Sequence, residues 1–425
     1  MKRSLAQLDR QASDYDKILL HVFAPVMTEY VTWVLKEANR DGVKRLYFLA
    51  RDGWIMFELA KELAPKLNID IEFRYIHVSR YVLRNAEYYF ISRKCMDSIC
   101  IGGIDITFEK LMKRASLTDE EIRIVAAEVG YSDRLQECLS YAQIQELKNR
   151  LDALGISFFE YVSNHAKAYY YSTSAYLEGV GLTEDISYAI VDSGWLGSTA
   201  RSMENILENM TGKKRHVLGY YFGIYNLPAD ASISNYKSFY LRPRYDIGRK
   251  VRFSICLFET LFSSPEGMTL GYRKIADRMV PDLSEMGNPN SKEMLRNKDL
   301  LILYASYLKT GDLSMRNVEK LLSLIMGSPT KEEARSLGSL QFCDDVLELQ
   351  MQNVAAKWDM HELKKQNAFT KIKLKLLSTG EKLHESGWPE ASVVNLVGDG
   401  FRGRKALLSQ RLFKRGMYVR KAIEK

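Results

Sequence analysis

The stretch VKRLYFLARDGWIMFELAKELAPKLNIDIEFRYIHV, residues 43–78, decides the fold class. VKRLYFLA (43–50) is short and apolar and follows the turn pair Asp41-Gly42, so it reads as a buried strand. Arg51-Asp52-Gly53 forms a tight polar turn, and from Trp54 the apolar residues of WIMFELAKELAPKL recur at helical spacing. DIEFRYIHV (70–78) supplies a second strand. Strand, helix, strand is a crossover unit, and crossovers join parallel strands. The expectation is an α/β fold built on a parallel, Rossmann-like sheet.

The pattern repeats downstream. ISYAIV (186–191) is followed by the loop DSGWLGST (192–199) and the helical segment ARSMENILENM, then by HVLGYYFGIY (216–225) and NYKSFYL (235–241). That makes a sheet of about five strands, an ordinary size. Before the first strand, apolar residues at helical spacing over 15–40 predict an entry helix, with Pro25 as a kink or first-turn residue. Residues 95–180 interrupt the sheet with helical periodicity, and LTDEE offers an N-terminal cap, so this segment reads as a helical insertion. PDLSEMGNPNS (281–291) reads as a linker, dividing an α/β unit over 1–290 from a helical C-terminal region over 291–425.

The chain has 425 residues, 46% hydrophobic and 27% charged, the balance of a globular protein and not of a disordered or collagenous one. Sixty-one basic against 53 acidic residues give +8, much of it in the last 25 residues, which implies a local anionic partner. The polar start MKRSLAQLDR does not open a signal peptide, and no run reaches the roughly 18 apolar residues of a membrane span, so the cytoplasm is the expected location. Five cysteines without a CxxC pair suggest neither a disulfide framework nor a zinc site.

In a parallel α/β sheet, ligands bind beyond the carboxyl ends of the strands. Three polar loops fall there. In DSGWLGST, Gly194 and Gly197 permit close backbone approach, while Ser198, Thr199 and the free N–H groups of a starting helix suit a phosphate. A plain helix cap is the competing reading, but Asp192 adds an acid that capping does not need. In Ala50-Arg51-Asp52-Gly53, Arg51 suits a diphosphate and Asp52 a water-mediated Mg²⁺; an Arg-Asp pair capping the helix competes. Ser79-Arg80-Tyr81 brings a further cation to the same edge.

The segments FLARDGW, YIHVSRY, VDSGWLGST, GYYFGIY and FETLFSSPEG, in that order over roughly 15–275, resemble the type I phosphoribosyltransferase-like domain of glycan phosphoribosyltransferases from bacterial polysaccharide biosynthesis. Such domains are often fused to a haloacid-dehalogenase-type phosphatase. The resemblance implies that 5-phosphoribosyl 1-diphosphate is the donor, that a hydroxyl of a growing glycan such as a capsule or O-antigen is the acceptor, and that Mg²⁺ is the cofactor. Arg51, Gly53, Ser79, Arg80, Ser193, Gly194, Trp195, Gly197, Ser198 and Thr199 are then expected to bind substrate, with Asp52 and Asp192 near the metal. The usual pair of acids in the phosphoribosyl motif is here reduced to Asp192-Ser193. The phosphatase nucleophile motif needs DxD at the end of an apolar strand, and the sole DxD is Asp14-Tyr15-Asp16 ahead of a helix, so a separate phosphatase is expected to remove the 5-phosphate.

Four acids stand as catalytic candidates: Asp52, Asp192, Glu259 and Glu266, the last two with a cap or salt bridge as the competing role. Trp54 and Trp195 suit either sugar stacking or the core, and His77 reads as a structural residue. The tail FRGRKALLSQRLFKRGMYVRKAIEK (401–425) interleaves nine basic residues with apolar ones, which fits peripheral contact with an anionic membrane carrying a lipid-linked acceptor; a solvated basic helix competes. No nucleic-acid fold signature accompanies the charge, and no nucleic-acid partner is expected. Two other functions stay open: a nucleobase-type phosphoribosyltransferase, and a non-catalytic scaffold that binds a phosphorylated ligand.

Overall fold

The computed structural model describes residues 12–103, 105–228, 231–307, 313–343, 351–377 and 383–423. The polar start at 1–10 and the last two residues of the basic tail lie outside the described residues. Helix α1 (Asp14–Arg40) includes a π-helical turn at Leu19–Phe23, after which Pro25 sits in the first turn of the regular helix that continues to Arg40. By length and mean hydropathy, α1 is apolar enough to cross a membrane, which a count of uninterrupted apolar residues does not register; 67% of its most apolar window is buried inside the protein.

Five parallel strands follow: β1 (Arg45–Leu49), β2 (Glu72–Ile76), β3 (Tyr188–Trp195), β4 (Leu218–Ile224) and β5 (Tyr236–Leu241), in the order β2-β1-β3-β4-β5. Helices α2 (Gly53–Leu63), α3 (Arg80–Ile91), α4 (Ile156–Gly179) and α5 (Ser198–Thr211) lie in the connections. The sheet is buried on both faces, which explains the nearly continuous apolar runs. Alternate residues of β1 enter different cores: Leu46 and Phe48 join α1, while Tyr47 and Leu49 join α3 and α4. The connection from β2 to β3 opens with α3 and closes with α4, and both cover one face of the sheet. The helices between them form a third core around Phe108, Leu111, Val125 and Leu147.

After α6 (Ile255–Phe262), a two-stranded antiparallel hairpin pairs β6 (Thr269–Ile275) with β7 (Arg278–Leu283). The segment expected as a linker therefore contains the end of β7, and the chain then enters α7 (Ser291–Ser306). Leu301, Leu322, Leu337, Trp388, Val394 and Leu407 share one core with α1 and the sheet. The C-terminal helices thus pack on the α/β unit itself. The last, α8 (Phe401–Ile423), buries Leu407 and Gln410.

Candidate functional site

β1 and β3 lie side by side, and their outer neighbours β2 and β4 extend the sheet in opposite directions, so the chain's order switches between them. Loops leaving adjacent strands at such a point diverge and open a crevice. A cleft of about 410 Å³ occupies that position, within the range of small-molecule sites. Arg51 and Asp52 after β1, Ser79 and Arg80 after β2, and Asp192 with Gly194 from β3 all line it.

The loops are tied together from below. The Ser193 hydroxyl donates to Asp52 Oδ2, joining the loop after β1 to β3, which runs through the expected loop as far as Trp195, while Ser193 N–H donates to Asp192 Oδ1 at 2.9 Å. Tyr30 from α1 sets its hydroxyl 3.0 Å from the Asp192 carbonyl oxygen and 2.9 Å from that of Tyr220. Peptides Ala50–Arg51 and Gly194–Trp195 are both cis. Gly194 has φ +131°, and a Cβ there would fall 1.9 Å from the Gly223 carbonyl oxygen, so β3 and β4 need glycine at this crossing. Gly197 plays the same part at the start of α5: φ is +63° and a Cβ would fall 2.4 Å from the Tyr236 ring.

The three loops differ in how their helices start. Ser79 caps α3, its Oγ accepting Val82 N–H at 3.1 Å and donating to the Thr269 carbonyl at 2.7 Å. No side chain caps α2 or α5, whose cap positions are Asp52 and Gly197. At α5 no side-chain cap is made, contrary to the competing reading, and Ser198 and Thr199 of its first turn line the cleft.

Three carboxyl groups share this space. Glu259, on α6, accepts from the Trp195 indole, Nε1 to Oε1 at 2.8 Å. Burial, with the Asp52 charge as the next cause, pushes the Glu259 carboxyl up to about 7. Burial and then Asp52 likewise hold Asp192 well above the usual carboxylate range. Crowded acids in a recess cannot all ionise together.

Glu266 is not in this group. α6 ends at Phe262, and past the turn Glu266 Oε2 lies 3.0 Å from His77 Nε2 in a half-exposed pair. Gly53 and Ser193 support the loops without lining the cleft; a Cβ at Gly53 would press on Phe48 at 3.0 Å. Trp195 shows an edge to the cleft, while its rings pack among Phe222, Tyr225, Phe253 and Phe258. Trp54 packs against the main core. The DxD acids belong to a helix start: Ser13 and Asp16 form a reciprocal cap, and Asp16 pairs with Arg296.

Other lining residues come from parts of the chain read as connectors or tail. Asn288 and Asn290 form one rim; Asn290 is held by Gln341, which donates its N–H at 2.9 Å and accepts at 2.7 Å through its carbonyl. Tyr418 and Lys421, from α8, form another wall. Nothing local distinguishes these residues, because they reach the cleft only through long-range packing. No group of three or more His, Cys, Asp or Glu residues suited to a metal occurs among the described residues. No protein family model matches the chain, and no characterised protein matches it.

Proposed function

We propose that the chain is a phosphoribosyltransferase that moves 5-phosphoribosyl from phosphoribosyl diphosphate to a hydroxyl of a growing bacterial glycan, leaving a 5-phosphate for a separate phosphatase. The observation that carries this reading is the convergence of Arg51, Arg80 and the uncapped start of α5 on one cleft that also holds Asp52, Asp192 and Glu259. Cations and free N–H groups suit a ligand with phosphate at both ends, and carboxyl groups between them suit its hydroxyl-rich ring.

Arg51 and Arg80 would take the diphosphate, and the N–H groups of α5 with Ser198 and Thr199 the 5-phosphate. As the bond from the anomeric carbon to diphosphate breaks, its electron pair leaves with the diphosphate, and the two arginines offset that charge. The acceptor oxygen bonds to the opposite face of the anomeric carbon, and its proton passes to Glu259. A carboxylate that titrates at about 7 is suited to this role, because at neutral pH it is substantially ionised yet basic enough to accept. Trp195 orients Glu259 by holding Oε1. Asp192, whose carboxyl is held above its ordinary range by burial and then by the Asp52 charge, lines the same cleft.

The cleft acids supply oxygen ligands of the kind Mg²⁺ takes. Asp52 and Asp192 would hold it through water, and it would supply further charge neutralisation at the diphosphate.

One observation favours a second reading, a phosphoryl-ligand-binding scaffold: Ser193 stands where a second acid is expected, and its hydroxyl is taken up by Asp52. Incubation with phosphoribosyl diphosphate, Mg²⁺ and a panel of lipid-linked or synthetic glycans separates the two. Transfer adds a phosphopentose mass to an acceptor with matching diphosphate release, lost in Asp192→Ala and Arg51→Ala. Donor binding with no transfer to any acceptor supports the scaffold.

A further inference from the structure

Helix α8 carries two unlike faces. One is docked: Leu407 and Gln410 are buried, Gln410 donates to the Gln366 carbonyl at 2.7 Å, Lys414 pairs with Glu390 at 2.7 Å, and Tyr418 lies against Tyr225 at 5.4 Å between ring centres. The other face holds Phe401, Leu408, Leu412, Val419 and Ile423, which are 84%, 55%, 57%, 38% and 75% exposed. At 100° per residue these positions fall within about 60° of one another, a continuous apolar stripe along the whole helix. Exposed cations flank it at Arg402, Arg404 and Arg415, exposed Lys405 falls on its edge, and Phe401–Ile423 contains no acidic residue. Water-exposed large apolar side chains in a row mark a surface made for something apolar.

We infer that the outer face of α8 lies on an anionic bilayer, with the five apolar side chains in the headgroup-acyl boundary and the arginines and lysine on lipid phosphates. Charge selects this occupant: an apolar stripe bordered by cations and by no acid matches an interface that is apolar below and negative above. A second copy of this helix would bring cation against cation along the same border. The docked face explains why the helix cannot bury itself more deeply, since Leu407, Gln410 and Lys414 hold it to the protein.

The arrangement bears on substrate delivery. Tyr418 and Lys421 line the cleft while Val419 and Ile423 point outward from the same turns, so cleft wall and bilayer are separated by about one helix diameter, roughly 10 Å. A glycan hydroxyl close to its lipid anchor is then within reach of the site. This consequence rests on the proposed transfer; the docking does not.

Flotation of the full chain with vesicles tests it, without donor or acceptor present. Binding is expected to vesicles containing about a third phosphatidylglycerol and to be at least about tenfold weaker to pure phosphatidylcholine, with strong salt dependence. The variant Leu408→Glu/Leu412→Glu, altered only at exposed positions, should lose at least about tenfold in vesicle affinity while keeping the wild-type melting temperature and donor affinity. Absence of binding to the anionic vesicles overturns the inference. So does equal binding by the double variant, or a wild-type dimer in light scattering that this variant dissociates and that does not float with vesicles.

Discussion

Glu259 is the residue on which the proposed chemistry turns. Its carboxyl must be ionised to accept the acceptor's proton, so the rate should rise as pH increases through about 7 and level off above it. Glu259→Gln should lower kcat by about 10²–10⁴-fold and abolish that rising limb, with donor affinity changed little. Trp195→Phe removes an indole donor that favours the ionised form, so the limb should survive but move to higher pH. The same group makes a stability prediction. Its folded value is raised from 4.5 to about 7, so the unfolded chain ionises first and stability falls as pH rises across that window. Glu259→Gln should flatten the decline, read as melting temperature against pH. Asp52 and Asp192 were legible in the sequence because each comes just after an apolar run, although β3 continues past Asp192 to Trp195. Glu259 and Glu266 were not separable by sequence, because only the end of α6 at Phe262 sends one to the cleft and the other to His77.

At the scale of elements, the geometry of β3 and the start of α5 depends on two glycines that have no room for a side chain. Gly197→Ala should destabilise the fold by about 1–3 kcal/mol in denaturant titration, from positive φ and the Tyr236 ring together, and weaken donor binding by displacing the first turn of α5. Strands β1 and β3 could be read directly, since a strand buried on both faces appears as an uninterrupted apolar run such as Leu46–Leu49. The hairpin of β6 and β7 escaped, because its residues are half-exposed and Pro281 with Asp282 reads as a turn. The outer stripe of α8 was legible only as interleaved composition. Which of its apolar residues face the core is decided by partners far off in sequence, such as Gln366 and Tyr225.

For the whole molecule, the cleft exists because the strand order switches between β1 and β3 and because the C-terminal helices close over its side. Residues as distant as Ala50 and Lys421 thereby share one site, and no local pattern announces the second of these. The central claim is that this cleft takes a ligand phosphorylated at both ends, and calorimetric titration of the full chain with phosphoribosyl diphosphate and Mg²⁺ tests it most directly. The account predicts saturable binding, weakened by at least about tenfold, or about 1.4 kcal/mol, in both Arg51→Ala and Arg80→Ala, and more so at low salt. No binding by the wild-type chain, or binding that neither substitution weakens, would contradict it.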